Sequence, residues 1–253
     1  MRVCIFASGS GGNCLLVSGE GGNILIDAGI SMRRIVNGLA QAGLSLQDIN
    51  GVLITHEHSD HISGLKMLTK HAKLPIYAPA RLARELVRLL PESEDCMNTL
   101  PLNEIAQVAG YGVGTCRTPH DAVESVAYKI QGARSFALAT DMGHVTPEIR
   151  QLLKSADAAV VESNYDEQML RYGAYPVFLK RRILSENGHL SNDCCAELVS
   201  ELVNQGTEQI VLGHLSKENN RPEIALETVK PALADSGCRL LCAPPQGFLE
   251  IKL

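Results

Sequence analysis

Short apolar runs recur along the chain, and their spacing alternates between strand-like and helix-like. Residues 2–6, 14–18 and 23–27 read as short strands, the last two forming a hairpin around Gly19-Glu20-Gly21-Gly22. Ser31 can cap a helix running to Gly43, with Ile35, Val36 and Leu39 on one face. A strand over 51–55 leads through a polar run into a helix near 62–71. A strand follows at 75–78, then a helix over 81–90 that Pro91 stops. The second half repeats the alternation, with strands at 126–131 and 135–139, a helix opening at Thr146-Pro147 and the buried strand Ala158-Ala159-Val160-Val161. Helices near 177–185, 192–204 and 222–235 follow, the last with Pro222 in its first turn. Strands near 209–212, 238–242 and 247–252 complete the pattern. No linker, low-complexity tract or short-period repeat interrupts it. Two such mixed halves predict an α/β (α+β) fold in one domain over residues 1–253, two mixed β-sheets packed face to face with helices outside.

Composition narrows the class. Of 253 residues 45% are hydrophobic, enough for a substantial core, and no apolar stretch approaches the length of a membrane span. A formal charge of −5 argues against a surface that is a nucleic-acid clamp throughout, while allowing a local basic patch. Met1-Arg2-Val3-Cys4-Ile5-Phe6 reads as an immediate strand and not as a secretion signal. Eight cysteines are scattered with no Cys-x-x-Cys pair, several in apolar runs, so reduced, buried thiols in a cytoplasmic protein are expected.

The chemistry concentrates in His56-Glu57-His58-Ser59-Asp60-His61, at the end of the apolar segment Val52-Leu53-Ile54-Thr55. Alternation along an extended stretch sends His56 and His58 to one side, and a turn lets Asp60 and His61 face a second point. Imidazoles with one carboxylate suit a catalytic site for zinc, manganese or iron better than a structural one. Further ligand candidates stand where apolar runs end: His120 after Thr118-Pro119, Asp141 after Ser135-Phe136-Ala137-Leu138-Ala139-Thr140, and His214 after Ile210-Val211-Leu212-Gly213. A rigid scaffold presents its chemistry at such places.

In this order the set resembles the five-motif signature of the metallo-β-lactamase-fold hydrolases, over essentially the whole chain. Ala7-Ser8-Gly9-Ser10-Gly11-Gly12-Asn13, Pro119-His120-Asp121-Ala122, Glu162-Ser163-Asn164, Gly188-His189-Leu190-Ser191-Asn192 and His214-Leu215-Ser216-Lys217-Glu218-Asn219-Asn220 narrow the resemblance to the YycJ/WalJ/VicX subgroup. It implies a cytoplasmic bacterial αββα four-layer sandwich acting on phosphodiesters, as a 5′-to-3′ double-stranded DNA exonuclease. Two divalent metal ions are implied as cofactors, one on His56, His58 and His120, the other on Asp60, His61 and His214, with Asp141 bridging. A hydroxide shared by the pair would attack phosphorus, with Asp60 and His189 as catalytic residues. Two dications among imidazoles and only two carboxylates would leave the site net positive. Tyr165 departs from the histidine found in many relatives.

Residues outside the ligand set carry weaker signals. By itself His189 reads as an ordinary hydrogen-bonded histidine at a helix entrance; the resemblance implies contact with phosphate or protonation of the leaving alcohol. The following helix is capped by Ser191 or Asn192, and its amides would add a phosphate seat. A glycine–serine cluster such as 8–13 is usually turn material, but the resemblance puts Ser8, Ser10 and Asn13 at the rim of the site, where small residues let backbone amides approach phosphate. Charge runs are usually solvated faces, but Lys217 with Arg221, and Lys180-Arg181-Arg182, lie beside the His214 and His189 motifs, where a local nucleic-acid rim is expected. Glu57 is expected to point away from the ligands, and His71 and His144 to play no part.

One scaffold hosts many chemistries, so a small cyclic phosphodiester or a thioester is a rival substrate. The missing secretion signal and the presence of His61 disfavour a secreted β-lactamase. A flavodiiron-type redox enzyme would carry glutamate at the position of His58. A non-enzymatic, metal-stabilised regulator would be expected to lose ligands such as Asp60 or Asp141, and none is lost.

Overall fold

Fourteen strands form two seven-stranded sheets in the computed structural model, which describes residues 1–234 and 236–253. The first sheet holds β1 (Arg2–Ala7), β2 (Cys14–Gly19), β3 (Gly22–Ile26), β4 (Gly51–Leu53), β5 (Ile76–Pro79) and β6 (Met97–Leu100), and β14 (Leu249–Lys252) returns to pair with β1. The second runs from β7 (Ile105–Val108) through β8 (Tyr111–Arg117), β9 (Val126–Gln131), β10 (Ser135–Ala139), β11 (Ala158–Glu162) and β12 (Gln209–Gly213) to β13 (Arg239–Cys242). Both sheets are antiparallel at one end and parallel at the other. Pairing is parallel from β3 to β6 and again from β10 to β13.

Most central strands are apolar at both parities because both of their faces are covered. Val3, Ile5, Ile24, Ile26 and Leu53 point from the first sheet toward Tyr128, Ile130, Phe136, Leu138 and Val211 of the second. The alternate residues Cys4, Leu16, Leu25 and Val52 pack outward under α1 (Met32–Gln41), α3 (Leu65–Ala72) and α4 (Ala80–Leu89). Ala137, Ala159, Val161 and Leu212 pack outward under α5 (Pro147–Leu153), α8 (Asn192–Asn204) and α9 (Pro222–Val229). Helix, sheet, sheet and helix are therefore stacked in four layers, the metallo-β-lactamase fold.

Several boundaries differ from the reading of the sequence. The strand at 51–55 ends at Leu53, and the helix near 62–71 is two pieces, α2 (Ser59–Ile62) and α3. Gly64 breaks it, since its amide turns to the carbonyl of Ala28 at 2.7 Å. Ser31 makes no side-chain cap, and Val36 is exposed while Ile35 and Leu39 are buried. Strands β6 to β8 were hidden by edge polarity and by Gly112 and Gly114, and α6 (Glu167–Tyr172) by its shortness. A helix α7 (Val177–Ile183) follows it. Helix α9 gives way to a 3-10 turn at Lys230–Leu233. The expected helix end at residue 235 lies outside the described residues.

Candidate metal centre

The two sheets meet the centre with different local structure. From the first, the chain leaves β4 through buried Ile54 and Thr55, passes His56 and His58, and enters α2, which carries Asp60 and His61 on one helical turn. This loop is clamped from beneath: Asn13 N donates to Asp60 O at 2.7 Å, and Ala28 N to His61 O at 2.8 Å. A Cβ on Gly29 would stand 1.6 Å from Asp60 O, so only glycine lets the two backbones meet. From the second sheet, single residues arrive at successive strand ends: His120 after β8, Asp141 after β10, Glu162 as the last residue of β11 and His214 after β12. Asp141 and His214, like Asp27 after β3, hold left-handed backbone angles (φ 58°, 53° and 61°). Side chains rarely adopt these without support. Here Ser8 Oγ accepts from His214 N at 2.9 Å, and Glu162 from Met142 N at 2.9 Å.

A shared pattern orients the imidazoles. Nδ1 of His61 lies 2.7 Å from Asp27, that of His120 3.1 Å from Gly188 O, and that of His214 3.1 Å from Glu162; His56 Nδ1 is 3.1 Å from Thr55 Oγ1. Holding Nδ1 fixes each ring and turns Nε2 toward the centre. His56 Nε2, His214 Nε2 and Asp141 Oδ2 are buried without a hydrogen-bond partner. Unpaired buried polar atoms are costly, and divalent ions would satisfy these three. Asp141 lies in the middle, with carboxylate oxygens 3.5 Å from His61 Nε2, 3.5 Å from His214 Nδ1 and 3.8 Å from His120 Nε2. Ligand atoms gather within 4.8 Å of one another in His56, His58 and His120, in Asp60, His61 and His214, and in His56, His61 and Asp141. A fourth such group joins Asp141, Glu162, His189 and His214. The donor set fits divalent metal ions.

Electrostatics agree. Burial, then the neighbouring imidazoles, pushes His56 well below its ordinary value, so it is neutral and free to ligate. Burial would lower His214 too, but Asp141, Asp60 and Glu162 hold it well above. Burial opposes ionisation of Asp60, yet His214 and His61 keep its carboxyl well below the carboxylate range. The carboxylates thus demand positive charge at this point. Burial likewise disfavours a charged His189, but Glu162, 2.7 Å from its Nδ1, holds it above its ordinary value.

Two acids that the sequence reading left without a role, Asp27 and Glu162, hold these rings. Each ends an apolar strand, the same signal that marked Asp141. With Asp60 and Asp141 they bring four acidic side chains to the rings, two more than the ligand set alone supplies.

The expected phosphate contacts divide. Ser10 and Lys217 are exposed. Ser8, Asn13, Ser191 and Asn192 are buried and committed elsewhere. Ser8 holds His214 N, and Asn13 Nδ2 lies 2.9 Å from His61 Nε2. Ser191 caps α8 by accepting from Cys194 N, and Asn192 bonds Ser163 and Asn220. The side chains of these four frame the ligands, and the amides of Ser8, Asn13 and Asn192 already donate to Pro244 O, Asp60 O and Tyr165 O. Glu57 accepts from Val123 N at 2.7 Å, outside the ligand groups. His71 is exposed at the end of α3, and His144 bonds Glu186 O, both apart from the centre. Tyr165 is buried against Leu170 and Ile183, its hydroxyl pushed up to about 12 by burial. The members reaching the surface are His58, Asp60 and His189.

Residues 22–215 match the model of the beta-lactamase superfamily domain. The chain belongs to the beta-lactamase superfamily. Within it, the chain is 37% identical over 235 residues to exodeoxyribonuclease YycJ of Bacillus anthracis, covering 92% of this chain and 89% of the relative. It is 36% identical over 238 residues to exodeoxyribonuclease WalJ of Streptococcus pneumoniae, covering 92% and 88%. In fold, this superfamily member resembles the metallo-beta-lactamase fold protein YhfI of Bacillus subtilis, with a TM-score of 0.76 at 15% identity over 99% of each chain.

Proposed function

We propose that the protein is a dinuclear metal-dependent phosphodiesterase that degrades double-stranded DNA as a 5′-to-3′ exonuclease in the bacterial cytoplasm. The observation that carries this reading is the convergence of seven ligand-type side chains on one point, with His189 beside them at the mouth. His56, His58 and His120 would hold one ion, Asp60, His61 and His214 the other, and Asp141 would lie between; zinc, manganese or iron suits the donors. Such ions supply Lewis acidity toward a phosphodiester and lower the pKa of water toward neutrality. Relatives at 36–37% identity named as exodeoxyribonucleases support DNA as substrate.

The chain's own groups do the rest. Asp60, partly exposed and ionised, accepts a hydrogen bond from the attacking water and so orients it. Glu162 pins His189 by Nδ1, which leaves Nε2 facing the mouth, and from there the imidazolium gives its proton to the departing oxygen. Free thiols at all eight cysteines suit a reducing compartment. The whole chain works as one domain on this reading, supported by β14 closing the first sheet beside β1.

The test is digestion of 5′- and 3′-labelled duplexes by metal-replete protein, with bis-p-nitrophenyl phosphate alongside. Stepwise shortening from the 5′ end is expected. Asp60→Ala or Asp141→Ala should lower cleavage of both substrates at least about a thousandfold, the several kcal/mol such ions supply, in a protein that still folds. Both substrates left uncut by the metal-replete wild type would overturn the reading.

A further inference from the structure

Helices α6 and α7 carry an apolar and basic surface with no part in the ligand set. Of the four phenylalanines, Phe6 and Phe136 are buried and Phe248 stacks on Phe6, whereas Phe178 is 73% exposed. Tyr172, at the end of α6, is 84% exposed. Helix α7 has three cations and no acid in the segment Val177–Ile183. Lys180 is spent on the carbonyl of Arg171 and Arg182 on Asp121, while exposed Arg181 enters no ion pair among the described residues. In a chain of net charge −5, a free cation beside exposed aromatic faces is complementary to a polyanion that carries flat bases.

The surface is continuous with the centre. The last carbonyl of α7, Ile183 O, accepts from His189 N at 3.0 Å, and Asp121, the partner of Arg182, directly follows His120. Phe178 and Arg182 are four residues apart and share a helix face, so Phe178 stands about one 5.4 Å turn beyond the Arg182–Asp121 pair. Paired bases inside a duplex hide their faces; an unpaired strand end presents them.

We propose that α6 and α7 form a platform for a single-stranded DNA end, with Phe178 and Tyr172 stacking on bases and Arg181 taking a backbone phosphate, so that the end is led to His189. This rests on the nuclease reading above, and the test separates the two. Phe178→Ala is compared with the wild type by anisotropy of a labelled phosphorothioate single strand and by kinetics on duplexes with unpaired 5′ ends. Kinetics on bis-p-nitrophenyl phosphate, too small to reach α7, are measured in parallel. The strand Kd and the duplex KM should each rise at least about fivefold, the low end of a stacking contribution, with turnover of the small substrate at the wild-type rate. Arg181→Ala should reduce the slope of log affinity against log salt by about 0.7. Unchanged Kd and KM in a wild type that cuts DNA would overturn the platform and leave the nuclease standing. Strand binding that Phe178→Ala weakens, in a wild type that cuts nothing, would uphold the platform and sink the nuclease. A wild-type dimer that Phe178→Ala splits, with the salt slope unmoved by Arg181→Ala, would make this face an interface between two copies and overturn the proposal.

Discussion

The first sheet delivers His56, His58, Asp60 and His61 in one loop of six residues, whereas the second delivers His120, Asp141, Glu162 and His214 singly, from four strand ends. The first contribution depends on backbone: the amides of Asn13 and Ala28 and the missing side chain of Gly29 hold the loop. The second depends on sheet register, because β10, β11 and β12 run parallel side by side and bring Asp141, Glu162 and His214 to one edge, while His120 comes from β8, across the antiparallel β9. A ligand run that is local in sequence is held by close backbone contact, while a dispersed set is held by the core that aligns the strands. Each side also keeps a carboxylate behind its rings, Asp27 for the loop and Glu162 for the strand ends.

Glu162 has the larger duty, since it touches His189 and His214 together, and the expected effects follow that asymmetry. His189→Ala should lower turnover about a hundredfold, at the low end of general-acid contributions, with bound metal at the wild-type level. Equal losses of metal and turnover would make His189 one more ligand of the strand-end set. Glu162→Gln and Asp27→Asn should each cost about tenfold or more in metal affinity or rate, the usual effect of disturbing a ligand's hydrogen-bonded partner. Glu162→Gln should lower turnover even at saturating metal; Asp27→Asn should be rescued by added metal. If the two variants behaved alike, the division of labour would fail. Gly29→Ala should destabilise the fold by about 1–3 kcal/mol through overpacking against Asp60, read as a lower denaturation midpoint. The same midpoint as the wild type would show that the loop is not held by that contact.

Legibility followed the same division. The loop and the strand-end ligands could be read because a polar residue closing an apolar run stands out. Asp27 and Glu162 obey that rule too, yet carboxylates ending strands are common, and only their distance from an imidazole gives them a role. Ser8, Asn13, Ser191 and Asn192 were legible as polar loop residues but not in what their side chains face. A serine or asparagine in a turn has the same local pattern whether its hydroxyl or amide faces solvent or a neighbouring strand. Strands β6 to β8 escaped notice because edge strands and glycine-bearing strands lack the buried alternation that makes β11 and β12 plain.

Residue order by itself settled the alternation of elements, the burial of both sheet faces and the positions of seven ligand-type side chains. Each of these is a property of a short window: its periodicity, or its change from apolar to polar. Which nitrogen of each ring faces the centre was decided only when the chain folded, as was the gathering of four acidic side chains around the rings and the union of α7 with His189. These depend on contacts such as that between Asp27 and His61, 34 residues apart, which exist only once strand register has set the distance.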